Sequence, residues 1–216
     1  MTLDLPALAD AASDSWALGS GTIYELRAAA ARQGWAEVPM RSTDPALSAL
    51  RPQTQADAAP NSLSAVHGLG EQPLHTDGAH LRRPPDWIAL VVDQPNSTPT
   101  KLWRLPTSPG SVPWNALLNG IFLVSCGPDR FLTTSGGGRG VRYDPTCMAP
   151  CDQRANCAAS FFSEAEEAAE DHTWNHPREI LLINNRKALH GRRAVAGTTD
   201  IASRTVHRIG FTLEGR

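Results

Sequence analysis

The sequence predicts a mainly β (α+β) chain, a double-sheet jelly roll packed on N-terminal helices. Many short apolar runs of strand length, interrupted by turns and followed by one late helix, favour this fold class. Gly and Pro number 17 each among 216 residues, an excess that is typical of a turn-rich β protein. A chain of this length forms one domain with its own core. We expect residues 1–62 to form a helical N-terminal part and residues 63–216 the jelly-roll core.

The N-terminal part carries helical patterns. A first apolar stripe lies close to the start of the chain and consists of Leu3, Leu5, Leu8 and Ala11. Thr22 and Glu25 form a T-x-x-E capping box, which predicts the beginning of a second helix. Gly34 is placed to end that helix. A short strand is expected at residues 35–40, followed by a loop at residues 41–60 that is rich in Pro, Ala, Ser and Asp.

The core region carries the strand signals. Apolar or alternating runs of strand length occupy residues 87–92, 101–105, 120–126, 130–134, 140–143, 179–183 and 205–213. Ser163 and Glu166 form another capping box, which predicts a helix from Ser163 to about Trp174. The stretch Ser135–Gly140, SGGGRG, indicates a hairpin loop. It lacks the G-K-[ST] of a phosphate-binding loop and precedes a strand where that loop needs a helix, so the sequence excludes such a loop.

Charge and composition exclude several function classes. The net charge is −2 at pH 7 and no basic stripe is present, which argues against a nucleic-acid partner. The sequence contains no apolar run of about 18 residues, so it predicts no membrane span. The first residues lack the basic region of a signal peptide, so we expect a cytoplasmic protein. The G-x-S-x-G motif of the α/β hydrolases is absent, which argues against that class.

The stretch QPLHTDGA at residues 72–79 carries the most informative pattern. His75 and Asp77 are separated by one residue, so on an extended strand they point to the same face. Two His and one carboxylate form the facial triad that holds non-haem Fe(II) with open coordination positions. The best candidate for the third ligand is His190, which follows the apolar run 180–183. His67 and His80 are rivals for the same role, and we expect both to lie at the surface or behind the ligands.

The surroundings of His190 distinguish a metal ligand from an ordinary core histidine. Arg186, Arg192 and Arg193 crowd this segment. Uncompensated cations would lower the pKa of the His190 imidazole and keep it neutral, which metal binding requires. The remaining candidates, His172 and His176, are expected to be solvated.

These motifs, HTDGA, then NNRKALHGR, then RTVHR, resemble those of the Fe(II)/2-oxoglutarate-dependent dioxygenases of the taurine dioxygenase and clavaminate synthase-like type. The resemblance covers roughly residue 63 to the C-terminus. It implies a double-stranded β-helix and the cofactors Fe(II), 2-oxoglutarate and O2. It further implies hydroxylation or desaturation of a small molecule, such as an amino acid or another carboxylate, with His75, Asp77 and His190 as metal-binding and catalytic residues.

The resemblance also implies a binding site for the co-substrate. Arg204 matches the arginine that grips the far carboxylate of 2-oxoglutarate, since a guanidinium fork fits a carboxylate. Thr100 is the best match for a threonine on that carboxylate, although Thr98 is a rival and the paired glycines that usually precede this threonine are absent. Arg208 matches an arginine that anchors an anionic group of the substrate. Either arginine could instead pair with a surface acid.

Two alternatives stay open. The chain could be a cupin-like metal-binding protein, an isomerase or a binding module, that uses the same pocket without activating O2. The cysteines, Cys126, Cys147, Cys151 and Cys157, could bind zinc together with His172 and His176, but free thiols are favoured in a cytoplasmic chain.

Overall fold

The computed structural model describes residues 3–41, 44–126, 129–138 and 140–213. Its helices are α1 Leu5–Ala11, α2 Ile23–Arg32, α3 Leu63–His67, α4 Trp114–Asn119, α5 Gln153–Glu164 and α6 Thr198–Ser203, with a 3-10 turn at Ala165–Ala168. Its strands are β1 Trp16–Ser20, β2 Trp35–Val38, β3 Leu47–Leu50, β4 Gln72–His75, β5 Trp87–Val92, β6 Asn96–Arg104, β7 Phe122–Cys126, β8 Asp129–Thr133, β9 Gly136–Gly137, β10 Gly140–Val141, β11 Met148–Pro150, β12 Glu170–Trp174, β13 Glu179–Asn184, β14 Ala188–Arg192 and β15 Val206–Leu213. The predicted mainly β fold with additional helices is confirmed.

Two antiparallel sheets form the centre of the molecule. The large sheet has six strands in the order β1-β13-β5-β15-β2, with β3 also paired to β15. The small sheet has four strands in the order β12-β6-β14-β4. A three-stranded sheet, β11-β7-β8, and the short hairpin β9-β10 lie outside these two.

The two sheets face each other across an apolar core. Leu181 and Ile183 of the large sheet pack there with Leu102 and Trp174 of the small sheet. Strands β5 and β13 are buried along their whole length. Their runs are therefore apolar without alternation, as in strands that are covered on both faces.

The outer face of each central sheet is also covered. Helices α1 and α2 pack on the large sheet, where Leu5 and Leu26 meet Val91 and Leu182. Helix α5 and the three-stranded sheet cover the small sheet, where Phe162 lies in one cluster with Trp103, Phe122 and Leu189. None of the helices in the described ranges is long and apolar enough to cross a membrane.

The N-terminal region agrees with its prediction only in part. The Thr22–Glu25 capping box begins α2 as expected, and Gly34 follows that helix with a φ of 70°. However, residues 1–62 are not simply helical, because β1, β2 and β3 all join the large sheet. Strand β3 lies within the predicted loop at residues 41–60, and it forms because its backbone pairs with β15 of the large sheet.

The predicted helix at Ser163–Trp174 is wrong. Helix α5 begins ten residues earlier, and the side chain of Asp152 caps it by accepting a hydrogen bond from the Ala155 N–H at 2.7 Å. Glu166 does not cap a helix, since its carboxylate bonds the Leu74 N–H and the Lys101 ammonium. These long-range partners outweigh the local capping pattern, and the chain after the 3-10 turn continues as strand β12. Residue 139 of the predicted Ser135–Gly140 loop lies outside the described residues.

Candidate metal centre

The small sheet brings His75 and His190 side by side. His75 ends β4, His190 lies in the middle of β14, and the two residues are direct cross-strand partners. The centroids of their rings are 4.7 Å apart. The glycine after His190 has a steric reason, because a Cβ at Gly191 would lie 2.7 Å from the Gln72 carbonyl oxygen.

Asp77 reaches the two histidines from a turn and not from the strand that we expected. Strand β4 ends at His75, and Gly78 follows Asp77 with a φ of 70°. The Asp77 carboxylate nevertheless approaches both rings, with Oδ1 3.7 Å from His75 Nε2 and Oδ2 3.4 Å from His190 Nε2. Within the described ranges, these three residues form the only group of three or more His, Cys, Asp or Glu side chains placed to share a metal, with ligand atoms within 4.8 Å of one another.

Hydrogen bonds orient the possible ligands. His75 Nδ1 lies 3.0 Å from the Pro73 carbonyl oxygen, which can only accept. Nδ1 therefore carries the proton, and the Nε2 lone pair faces the centre of the group, as in metal-bound histidines. Asn185 fixes the Asp77 peptide, because its Oδ1 accepts from the Asp77 N–H at 3.1 Å and its Nδ2 donates to the Asp77 carbonyl at 2.9 Å.

The charge states suit a cation. Burial alone would raise the pKa of Asp77, but the Arg208 guanidinium at 2.9 Å and the two histidines hold it well below its usual range. Burial lowers the pKa of His190, which favours the neutral ring. Burial also acts to lower the pKa of His75, but the hydrogen bond and charge of Asp77 outweigh it and raise that pKa.

These residues fit a divalent iron. Asp77 Oδ2 is buried and has no hydrogen-bond partner among the described residues, although a buried carboxylate oxygen normally has one. Two imidazole Nε2 atoms face the same carboxylate, which gives the donor set of a facial triad. A cation at this point would satisfy the buried oxygen.

A cavity of about 420 Å³ opens onto the candidate metal centre. Its lining includes the three possible ligands together with Thr100, Asp144, Arg192, Arg204 and Arg208. Arg208, on β15 of the large sheet, bonds Asp77 beside the small sheet, so the cavity lies between the two sheets.

Arg204 lies at the end of a helix. It is the C-terminal cap of α6, two residues before β15. It is 7 % exposed, its Nε donates to Asn96 Oδ1 at 3.1 Å, and burial lowers its pKa to about 10. No carboxylate of the described residues lies within salt-bridge distance of its guanidinium. Arg204 is thus a buried cation at the cavity wall without a counter-ion.

The two threonines have different partners. Thr100 lines the cavity, and its hydroxyl oxygen accepts a hydrogen bond from Trp174 Nε1 at 3.2 Å. This contact leaves the Thr100 hydroxyl hydrogen available for another acceptor. Thr98 instead donates to the buried carboxylate of Asp200. The geometry therefore favours Thr100 over Thr98 as a cavity residue.

Two of the three arginines around His190, Arg186 and Arg193, are not the uncompensated cations that we predicted, whereas Arg192 has no carboxylate partner among the described residues. Arg186 pairs with Asp86, Arg193 pairs with Asp171 and Glu71, and Arg192 donates to two backbone carbonyls. The pKa of His190 is lowered as expected, but burial is the main cause.

The other histidines and the cysteines lie outside the metal centre. His80 Nε2 bonds the Met40 carbonyl, and His67 ends α3. His172 is not solvated, because it lies on β12 with Nε2 3.3 Å from Glu179, whereas His176 is exposed as predicted. All four cysteines are free thiols, which agrees with the favoured interpretation, and none of them joins a group of possible ligands in the described part of the chain.

Comparison with known proteins identifies the fold. No protein-family profile matches the chain, and no curated protein sequence matches it. Among solved structures, an asparagine oxygenase in complex with Fe(II), 2S,3S-3-hydroxyasparagine and succinate aligns over 97 % of this chain and 77 % of its own, with a TM-score of 0.70 and 16 % identity. The chain shares the fold of the non-haem iron oxygenases.

A second similar structure is the non-haem iron oxygenase OrfP in complex with Fe and α-ketoglutaric acid. It aligns over 82 % of this chain with a TM-score of 0.65 and 17 % identity. The aligned region spans 59 % of the OrfP chain.

Sequence reasoning missed three residues of this oxygenase fold. Asp144 is a buried carboxylate of the cavity wall, Asn185 holds the Asp77 peptide, and Lys101 is 1 % exposed between Glu71 and Glu166 at 2.5 Å each. Asn185 stands in the NNRKALHGR motif, so its position carried a signal. Nothing local distinguishes the other two, because their partners are distant in the sequence.

Proposed function

We propose that the chain is an Fe(II)- and 2-oxoglutarate-dependent oxygenase of the taurine dioxygenase and clavaminate synthase-like type. In this proposal the facing sheets form a double-stranded β-helix, or jelly roll, and residues 1–216 make up one domain. The observation that carries it is the buried group His75, Asp77 and His190, which opens onto a cavity containing the unpaired guanidinium of Arg204. The similar structures that hold Fe with α-ketoglutaric acid or succinate support the same assignment.

Each ligand has a defined role in the proposal. His75 and His190 would offer their Nε2 atoms and Asp77 a carboxylate, and the remaining coordination positions would face the cavity. When bound, the iron supplies the oxidising chemistry with O2 and 2-oxoglutarate. The buried sheets around the three residues exclude water from this chemistry.

Arg204 and Thr100 would bind the far carboxylate of 2-oxoglutarate. A guanidinium fork forms two parallel hydrogen bonds with a carboxylate, and the Thr100 hydroxyl has a hydrogen left to donate. A dianionic co-substrate also provides the counter-ion that buried Arg204 lacks. Burial and the neighbouring charge of Arg192 lower the pKa of Arg204, and the more distant Asp200 offsets this only in part.

The substrate is proposed to be a small amino acid or a similar carboxylate, which is hydroxylated or desaturated. Asp144 Oδ1 accepts from the Thr146 N–H at 2.8 Å and from its hydroxyl, and no described cation lies within salt-bridge distance of the carboxylate. Asp144 can therefore receive a substrate ammonium group. Arg208 can bind the substrate carboxylate once a metal shares the charge of Asp77. Both similar oxygenases are solved with hydroxylated amino acids, which supports this class.

The compartment and partners follow from the same features. We propose a cytoplasmic enzyme with a small-molecule substrate and no nucleic-acid or membrane partner. The four free thiols support a reducing compartment.

The test is succinate formation from 2-oxoglutarate by the Fe(II)-loaded protein against a panel of the common L-amino acids. We expect at least one amino acid to stimulate succinate release and to gain one oxygen atom or lose two hydrogens, as measured by mass spectrometry. His190→Ala should abolish the stimulation. His80→Ala is the matched control, because His80 lines the same cavity but bonds the Met40 carbonyl. A protein that binds the metal but forms no succinate with any substrate would support the cupin-like alternative.

A further inference from the structure

A second cavity lies beside the turn that carries Asn185. We call it the basic cleft, and its volume is about 440 Å³. Its lining includes Arg82, Arg83, Arg142, Ser135 and the loop glycines 136–138. It contains neither the possible iron ligands nor Arg204, so it is separate from the proposed active site.

The basic cleft carries unbalanced positive charge. Its lining contains one carboxylate, Asp86, which pairs with Arg186 and also accepts the Leu213 N–H at 3.0 Å. Arg82, Arg83 and Arg142 have no carboxylate within salt-bridge distance in the described part of the chain. Three cations therefore face a cleft without a protein counter-ion, which favours an anionic ligand.

Two of these arginines are held in place. The Arg142 guanidinium donates to the Arg82 carbonyl at 2.9 Å. Both guanidinium groups also approach the Phe131 ring, with Cζ 5.2 Å from the ring centroid for Arg82 and 5.6 Å for Arg142. Groups fixed in this way lose little further freedom when they bind a ligand. Burial lowers the pKa of Arg142, which shows that this cation lacks stabilisation.

Polar groups without partners complete the wall. Ser135 is 0 % exposed, and its hydroxyl has no hydrogen-bond partner among the described residues. A Cβ at Gly137 or Gly138 would meet nothing within 4 Å, and neither glycine has the positive φ that excludes side chains. Packing therefore does not require glycine at these positions.

We propose that the basic cleft binds the phosphate group of a small phosphorylated molecule. A phosphate offers three strong acceptor oxygens and up to two negative charges, which match the guanidinium groups of Arg82 and Arg142. The volume leaves room for an organic part, because binding pockets for small molecules span roughly 300–1,000 Å³. This is not the phosphate-binding loop that the sequence excludes, since arginine side chains carry the recognition.

Isothermal titration calorimetry of the full chain tests the proposal with three probes: inorganic phosphate, glycerol 3-phosphate and uncharged glycerol. We expect saturable binding of both phosphates and none of glycerol. Arg142→Gln should weaken phosphate binding about tenfold or more, because it removes charge-assisted hydrogen bonds. Arg154→Gln, on the exposed face of α5, is the matched control and should bind like the wild type.

Other outcomes would overturn the proposal. Equal phosphate affinity in the wild type and in Arg142→Gln would exclude the basic cleft, as would a loss caused by Arg204→Gln alone, which would place the anion in the other cavity. If succinate bound as tightly as phosphate and Arg142→Gln weakened both equally, the basic cleft would bind anions without preferring phosphate. If Arg142→Gln does not fold, the exposed Arg83→Gln serves instead and should weaken phosphate binding about threefold or more.

Discussion

Replacing Asn185 tests how the protein holds its carboxylate ligand. The Asn185 side chain is buried, and its Nδ2 donates to the carbonyls of both Asp77 and Pro85 at 2.9 Å, while its Oδ1 accepts from the Asp77 N–H. Asn185→Ala removes three hydrogen bonds and leaves one buried N–H and two carbonyls without this partner. The turn that presents the Asp77 carboxylate then loses its attachment to the β13–β14 connection.

The magnitude follows from these contacts. Each buried polar group left unpaired costs about 1–3 kcal/mol, and a water molecule entering the vacated space recovers part of that cost. We therefore expect the free energy of unfolding to fall by about 3 kcal/mol for Asn185→Ala. Residues that orient metal ligands typically change metal affinity by about 10- to 100-fold, so Fe(II) affinity should fall by that factor.

Asn184→Ala is the matched control for this experiment. Asn184 is also buried, and its side chain donates to the Ser13 carbonyl at 2.6 Å and accepts from the Arg186 N–H at 3.2 Å, without touching Asp77. Its loss should cost about 2 kcal/mol of stability but leave Fe(II) affinity within about threefold. Urea unfolding and anaerobic Fe(II) titration measure the two quantities. If both variants weakened iron binding equally, the specific role of Asn185 would be refuted.

Three further predictions use the same protein. His75→Ala should abolish the weak visible band that forms when 2-oxoglutarate chelates Fe(II) without O2, whereas His80→Ala should retain this band. An unchanged band in His75→Ala would contradict the ligand assignment. Arg204→Ala should weaken 2-oxoglutarate binding about 10- to 100-fold with little effect on iron binding. If Arg208→Ala showed this loss in a 2-oxoglutarate titration and Arg204→Ala did not, the roles of the two arginines would be exchanged. Lys101→Met should lower the free energy of unfolding by about 1–3 kcal/mol, because it removes the cation from the half-buried carboxylate of Glu166. A variant as stable as the wild type in urea would contradict this account.

The possible metal ligands could be predicted because their motifs are local. The order of HTDGA and NNRKALHGR pointed to His75, Asp77 and His190, and the structure brings those three together. The supporting elements were less predictable. Asp77 lies in a turn after β4, and Arg204 caps α6.

The wrong predictions share a physical cause, which is that distant partners outweigh local patterns. Glu166 fits a capping box, but its carboxylate bonds Lys101 and the Leu74 N–H across the fold. Likewise, residues 47–50 fit no strand pattern by themselves and become one by pairing with β15. The sequence between such partners contains no signal for the contact, so Asp144 and Lys101 were not identified.

The pairing of His75 with His190 in neighbouring strands has a consequence for how the protein matures. The two residues are distant in sequence, and they become neighbours only when β14 adds to β4 and β6. During synthesis, therefore, a chain that has not yet produced β14 holds His75 and Asp77 without the second imidazole. Contacts between distant segments form late, since they carry the cost of closing a long loop. The proposed metal site is thus complete only after the small sheet has assembled, so iron binding should report the last stage of folding and not the first.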